Sequence, residues 1–119
     1  MKNQKNKQIK QGDIWIYTAN DTIGHEQGAE NGRCCVIVQS NIGNKLSETT
    51  IICPLTKQSK TYIPQHHQLY KEKYKFLTYD SLVLNEQIRC IDIKRLERKL
   101  GCIDNYDLIQ ILNKIEENF

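Results

Sequence analysis

Four side chains in this sequence have chemistry suited to proton transfer and to anion binding: His25, Arg33, Thr56 and Glu86. Histidine titrates near neutrality, so His25 can give or take a proton at cellular pH. The planar fork of Arg33 matches two oxygens of a phosphate. Thr56 ends an apolar strand, and its hydroxyl is suited to contact the same anion. Glu86 interrupts a second apolar run, where a carboxylate is either a general base or a plain turn residue.

Each of these side chains also has an ordinary structural explanation. Most loop histidines are simply solvated, and we apply that interpretation to His66 and His67. An arginine at the start of a strand is often held in a salt bridge, here with Glu30 or Asp13. Threonines are common at strand ends. No single residue therefore identifies a function.

The first candidates lie in a long polar loop. Residues 19–32 include Gly24-His25-Glu26-Gln27-Gly28, and Ile23 is their only large apolar residue. Loops of about 14 residues in compact domains are usually functional or disordered. Arg33 follows directly and opens the next strand. This geometry predicts that the sheet fixes the backbone of Arg33 while its head reaches the loop surface.

Apolar and β-branched runs predict a mostly β protein with α+β character. Predicted strands cover 13–17, 33–39, 49–56, 62–69 with an interruption at Pro64, 81–84, 87–92 and 100–103, with a turn at 41–44 and a helical turn at 94–99. Asp104 is a helix N-cap, and Leu108, Ile111, Leu112 and Ile115 form one buried stripe after it. Many short strands and one terminal helix indicate a small, strongly bent barrel.

The chain carries a formal net charge of +3, but that charge is unevenly placed. Residues 1–12 hold four lysines and no acidic residue, which leaves 13 of the 17 basic residues against all 14 acidic ones. The folded part is therefore not a basic domain, and any nucleic-acid site must be local. We interpret residues 1–11 as a disordered basic tail and residues 12–119 as one domain.

The five cysteines argue against a metal or disulfide framework. Their number is odd, and no Cys-x-x-Cys pair is present to hold zinc. No apolar run follows the N-terminal lysines, so the sequence predicts a cytoplasmic protein with reduced thiols and no membrane span. Cys35, Cys53 and Cys90 are predicted to be small core residues. Cys34 beside Arg33 is a candidate redox-sensitive thiol.

Taken together, ordered blocks from residue 12 to about residue 96 resemble the MazF/PemK family of toxin endoribonucleases. The blocks are 12–15, 24–28, Arg33, 36–39, 42–44, 47–56, 63–66 and 80–92. The resemblance implies an SH3-like barrel of the CcdB/MazF type, a homodimer, a cognate MazE/PemI-like antitoxin, and DNA contact only through that antitoxin. It also implies cleavage of single-stranded RNA without a metal or other cofactor.

The same resemblance suggests residue roles. Positions equivalent to Arg33 and Thr56 are linked to activity in MazF members, whereas the PemK/Kid branch uses a histidine at the position of His25 and an acid at that of Glu86. This chain has all four. It departs from the family in a loop two residues longer before Arg33, in Cys34 where proline is usual, and in Leu84 where the Kid branch has arginine.

The implied reaction is attack of a ribose 2′-hydroxyl on the adjacent phosphate, giving a 2′,3′-cyclic phosphate and a 5′-hydroxyl end. Arg33 and Thr56 would stabilise the phosphorane, and His25 or Glu86 would act as base, with the other or Arg33 as acid. The predicted RNA contacts are Glu26, Gln27, Lys57, Gln87 and Arg89. Two other functions fit the same barrel: a non-catalytic binding module and a gyrase poison.

Overall fold

A computed structural model describes residues 7–19, 29–58 and 66–119 of the chain. The strands are β1 (Asp13–Ala19), β2 (Ala29–Ile37), β3 (Thr49–Lys57), β4 (His67–Leu69), β5 (Ser81–Val83), β6 (Arg89–Asp92) and β7 (Leu96–Cys102). The helices are α1 (Asn41–Leu46) and α2 (Asn105–Asn118), and single 3-10 turns span Asn85–Gln87 and Ile93–Arg95. The mostly β fold with a C-terminal helix is as the sequence predicts.

The seven strands form one antiparallel sheet in the order β4-β5-β3-β2-β1-β7, with β6 paired to β3 outside that path. Within the described residues β4 and β7 remain the two ends of this order, so backbone pairing does not close the sheet into a complete barrel. The curvature comes from β3, which pairs with β6 through its first half and with β5 through its second half. One long strand therefore joins two smaller sheet surfaces.

The central strands are buried on both faces, which explains their nearly continuous apolar sequences. Tyr17, Ile37 and Ile52 belong to one core cluster. Ile14 and Val36 belong to the other, which also contains Ile111 of α2. Alternate residues of a strand point to opposite faces of a sheet. The apolar run in β2 thus fills two cores rather than one.

Helix α2 begins as the sequence predicts. The Asp104 carboxylate accepts a hydrogen bond from the Asp107 backbone N–H at 3.0 Å, which caps the first turn. Ile111 is fully buried, and Leu108, Leu112 and Ile115 pack partly buried against the same core. The apolar stripe therefore docks α2 on the sheet.

The described part of the basic tail is packed rather than free. Ile9 is only 8% exposed and lies in a core cluster. The Lys7 ammonium donates to the carbonyl oxygens of Ile93 and Leu96. The domain therefore begins before residue 12, contrary to the boundary predicted from composition. Residues 1–6 lie outside the described residues.

Two local predictions were wrong. The predicted turn at 41–44 is the start of α1, where the Ser40 hydroxyl accepts from the Gly43 N–H at 3.2 Å. Helix α1 buries no residue, so its sequence has no apolar periodicity that would predict a helix. The predicted helical turn at 94–99 ends at Arg95, and β7 begins at Leu96. The charged residues 97–99 are exposed on β7, which is an edge strand. Charge on an edge strand discourages pairing with a further strand.

Cys90 is exposed, contrary to its predicted core position. It faces Ile51 in the β3–β6 ladder, and the next residue, Ile91, is buried. Only one face of β6 is covered, and Cys90 points to the other. Cys35 and Cys53 are buried as predicted, and all five cysteines are free thiols.

Asp107 connects α2 to the rest of the fold. Its carboxylate accepts from His67 Nε2 at 2.8 Å, from Lys73 Nζ at 3.0 Å and from the Tyr74 hydroxyl. Burial raises the pKa of this carboxyl, but the hydrogen bonds from Tyr74, His67 and Lys73 outweigh burial and leave its pKa below the usual range. The ionised form is therefore the one that the fold stabilises.

We expect Asp107→Ala to lower the free energy of unfolding by about 2–4 kcal/mol, because it leaves buried donors without an acceptor. Urea denaturation at neutral pH measures the loss. Glu97→Ala, which removes an exposed carboxylate on β7, is the control and should stay within about 0.5 kcal/mol of wild type. An equal loss in both variants would contradict a special role for Asp107.

Wild type and Asp107→Ala also test the lowered pKa of Asp107. A depressed folded-state pKa contributes stability above the unfolded value of about 3.9, and that contribution disappears as pH falls through the folded value. The difference in unfolding free energy between wild type and Asp107→Ala should therefore narrow below about pH 4. A difference that stays constant down to pH 2 would contradict this assignment.

Candidate active site

The candidate site surrounds the C-terminal half of β3. Arg33 of β2 is half-buried, and its Nη1 donates to the Leu55 carbonyl oxygen of β3 at 3.1 Å. Thr56 is the next residue along β3 and pairs with Leu82 of β5. The β2–β3 ladder ends with Cys35 paired to Pro54, two residues before Thr56 on β3. The Arg33 guanidinium is therefore held on the β3 residue that directly precedes Thr56.

Glu86 reaches this strand from the 3-10 turn that connects β5 to β6. Both of those strands pair with β3, so the turn between them stays beside β3. Burial and the nearby negative charge of Glu86 together raise the pKa of Cys53 to about 12, with burial the larger cause. The Glu86 side chain is 41% exposed. A carboxylate accessible to solvent is thereby placed against the middle of β3.

His66 holds the Glu86 carboxylate. Its Nε2 lies 2.9 Å from each carboxylate oxygen, and the imidazole side chain is only 6% exposed. The interpretation of His66 as a solvated loop residue was wrong, and so was that of His67, which binds Asp107. Each histidine meets a partner at least 20 residues away along the chain, and no local pattern marks such a contact.

Two arginines place positive charge around a buried phenol beside the site. Burial raises the pKa of Tyr17 to about 12, and the thiol of Cys35 adds to the effect. The charges of Arg89 and Arg33 act in the opposite direction. Arg33 lies opposite Tyr17 in the β1–β2 ladder, and Arg89 pairs with Ile52. Both arginines therefore contribute positive charge near this phenol.

The remaining predicted RNA contacts are only partly described. Lys57 ends β3, is exposed, and places its Nζ 4.8 Å from the centre of the Tyr79 ring. Gln87 is half-buried in the same 3-10 turn as Glu86, where its N–H donates to the Leu84 carbonyl. His25, Glu26 and Gln27 lie outside the described residues. The structure thus groups Arg33, Thr56, Glu86, Gln87 and Arg89 around β3.

Comparison with known proteins identifies the family. The family model of PemK-like, MazF-like toxins of type II toxin–antitoxin systems matches residues 10–119. The chain belongs to this toxin family. It is 38% identical over 109 residues to the Endoribonuclease MazF of Staphylococcus epidermidis, covering 91% of this chain and 88% of that protein.

Solved structures share the fold at lower identity. MazF from Deinococcus radiodurans (Form-I) superposes with a TM-score of 0.78 at 22% identity, covering 95% of this chain and 97% of that one. The MazE–MazF structure (Form-II) from the same organism gives 0.72 at 17% identity, covering 95% and 96%. A mycobacterial endoribonuclease in complex with its cognate antitoxin gives 0.68 at 15% identity, covering 92% of each chain.

Two further properties concern the described residues alone. Neither α1 nor α2 has the length and apolar character needed to cross a bilayer. Among the residues that the structure describes, no three His, Cys, Asp or Glu side chains converge as metal ligands.

Cys34 is not an activated thiol. Burial raises its pKa and outweighs the lowering effect of the positive charges of Arg33 and Arg98. A thiol that stays protonated is a poor nucleophile. The raised pKa therefore does not favour the hypothesis of a redox-sensitive Cys34, which stays a prediction.

The five thiols should react with a disulfide reagent in three groups at pH 7.5. Cys90 and Cys102 are exposed and should react first, half-buried Cys34 should follow, and buried Cys35 and Cys53 should react only on unfolding. Time-resolved mass spectrometry of tryptic peptides measures the order. Cys34→Ser is the control, because it should remove only the intermediate phase. Reaction of Cys34 before Cys90 would contradict the effect of burial.

Proposed function

We propose that this protein is a toxin that cleaves single-stranded RNA without a metal. The observation that carries the proposal is the grouping at the end of β3, where the Arg33 guanidinium is held on the Leu55 carbonyl beside Thr56. Glu86 adds a solvent-accessible carboxylate that His66 holds in one place. A fixed cation, a hydroxyl and an oriented carboxylate are the groups that RNA cyclisation requires. The endoribonuclease name of the staphylococcal relative supports RNA cleavage.

The reaction begins with the RNA's own ribose. A base removes the proton of the 2′-hydroxyl, and the 2′-oxygen forms a bond to the adjacent phosphorus. The bond from phosphorus to the 5′-oxygen breaks, and an acid protonates that oxygen as it leaves. The products are a 2′,3′-cyclic phosphate and a 5′-hydroxyl end. Because the nucleophile belongs to the substrate, the step does not need a metal-bound hydroxide.

We assign Arg33 and Thr56 to the charge that develops on the phosphorane. Arginine stays protonated in proteins, so its role is that of a fixed clamp rather than a proton shuttle. Donors already oriented toward developing charge stabilise a transition state without reorganisation. We propose that either Glu86 or His25 is the base. The other of the two, or Arg33, is the acid.

Lys57, Gln87 and Arg89 extend this site along the RNA, and we propose Glu26 and Gln27 as further contacts from the loop. Polar side chains read splayed bases of single strands, and lysine and arginine bind the phosphates. Lys57 stacked on Tyr79 gives a cation and an aromatic ring at one end of the β3 site. We propose that these contacts, together with those of the loop, determine which RNA sequence is cleaved.

We further propose that the toxin acts in the cytoplasm as a homodimer under the control of a cognate antitoxin. The support is that related toxins have been solved with an antitoxin, as MazE–MazF from Deinococcus radiodurans and as a mycobacterial complex. Contact with DNA would come only through that antitoxin.

We expect Arg33→Ala to lower kcat for RNA cleavage by about 10²–10³-fold, because it removes a principal phosphorane donor. Arg33→Lys should recover only part of the activity, since an ammonium lacks the two-point fork. Fluorogenic RNA hydrolysis measures both variants. Arg98→Ala removes an exposed arginine of β7 and should leave kcat unchanged. Wild type that cuts no RNA would favour a binding module or a gyrase poison. Arg33→Ala that cuts as well as wild type would contradict the role assigned to Arg33.

Chelation should leave cleavage intact. We expect the rate in excess EDTA to stay within about twofold of the untreated rate, because no step needs a metal-bound nucleophile. Phosphorus NMR of a short digested RNA should show a 2′,3′-cyclic phosphate, and kinase labelling should detect free 5′-hydroxyl ends. A metal-dependent nuclease digest of the same RNA is the control for 5′-phosphate ends. Loss of activity with EDTA that added Mg²⁺ restores would contradict the mechanism.

A further inference from the structure

His66 has a contact that neither proton transfer nor phosphate binding requires. One ring nitrogen, Nε2, lies 2.9 Å from both oxygens of Glu86. A nitrogen this close to two carboxylate oxygens must carry a hydrogen, because its lone pair would otherwise face negative charge. His66 is therefore a donor to Glu86, and its Nε2 proton is shared between the two oxygens.

The other ring nitrogen cannot take part in proton exchange with solvent. Nδ1 is buried and has no hydrogen-bond partner among the described residues. The side chain as a whole is 6% exposed, whereas that of Glu86 is 41% exposed. The imidazole is thus shielded from solvent, and the carboxylate in front of it is the exposed member of the pair.

A fixed donor changes what the carboxylate can do. A glutamate with a solvent-accessible side chain samples several rotamers, and holding it in one costs entropy. Each carboxylate oxygen has two lone-pair sites, and one shared N–H leaves others for a substrate proton. The position is set by backbone on both sides, because His66 directly precedes β4 and Glu86 lies in the turn after β5, to which β4 pairs.

We propose that His66 is a positioning residue that holds Glu86 in the orientation needed to accept the 2′-hydroxyl proton, and that it does not itself exchange a proton with RNA. This inference rests on the proposed function and assigns Glu86 the role of base. Positioning matters because misplacement of a catalytic group by about 1 Å can cost about 10²-fold in rate.

The test is a double-mutant cycle on the full-length protein with a fluorogenic RNA. His66→Phe retains an aromatic ring and removes the donor, and we expect kcat to fall about 10–100-fold with KM within about threefold of wild type. His66→Gln places an amide N–H near the position of Nε2 and should recover most of that loss. Glu86→Gln should lower kcat by about 10²–10⁴-fold.

The double variant His66→Phe, Glu86→Gln decides whether His66 acts through Glu86. We expect its kcat to equal that of Glu86→Gln within about threefold, because the positioning residue then has nothing to position. His67→Phe is the matched control, since His67 binds Asp107 rather than Glu86. It should lower the Tm and leave kcat unchanged. Circular dichroism verifies that each variant is folded at the assay temperature.

Several outcomes would overturn the inference while leaving the proposed function intact. They are unchanged kcat in His66→Phe, failure of His66→Gln to exceed His66→Phe, and losses that multiply in the double variant. Wild-type protein that does not cleave RNA would overturn the proposed function, and the role of His66 with it. Folded His66→Phe with a raised KM alone would also overturn the inference, because the residue would then contribute to binding.

Discussion

The structure depends on the continuity of β3 across two sheet surfaces. Its first half carries β6 and its second half carries β5 on the same side, with β2 on the other. The change of partner falls at Cys53 and Pro54, where proline has no N–H for a ladder. The Pro54 carbonyl still accepts from the Leu84 N–H at 2.9 Å. Because both partners lie on β3, the turn that joins them, with Glu86 in it, must also lie there.

That constraint explains how a chain without a basic folded domain concentrates positive charge. Arg33 enters from β2 and Arg89 from β6, two strands that flank β3 on opposite sides. Their charges meet at Tyr17, although neither strand is rich in basic residues. Positive charge is therefore concentrated locally while the overall charge of the folded region is near neutral. A few fixed charges attract RNA to one place on the protein, whereas a generally basic surface would attract RNA without fixing its position.

The sequence predicted the elements whose information is local. Apolar runs located β1, β2 and β3, and the Asp104 cap with its apolar stripe located α2. Residue type and position also singled out Arg33, Thr56 and Glu86 as candidate site residues. What local sequence could not provide were contacts between distant segments, including Lys7 on the carbonyls of Ile93 and Leu96. Charged residues 97–99 favoured helix by composition, but pairing with β1 made them strand.

The two adjacent histidines show why long-range contacts decide such a site. His66 and His67 have the same side chain, and the sequence alone predicted both to be solvated loop residues. Successive residues of an extended segment point in opposite directions. His66 consequently meets Glu86 and His67 meets Asp107 of α2, while the backbone of His67 pairs with Val83. The two contacts are made by separate side chains that point in opposite directions. One dipeptide thus contributes to helix docking through His67 and to the orientation of Glu86 through His66.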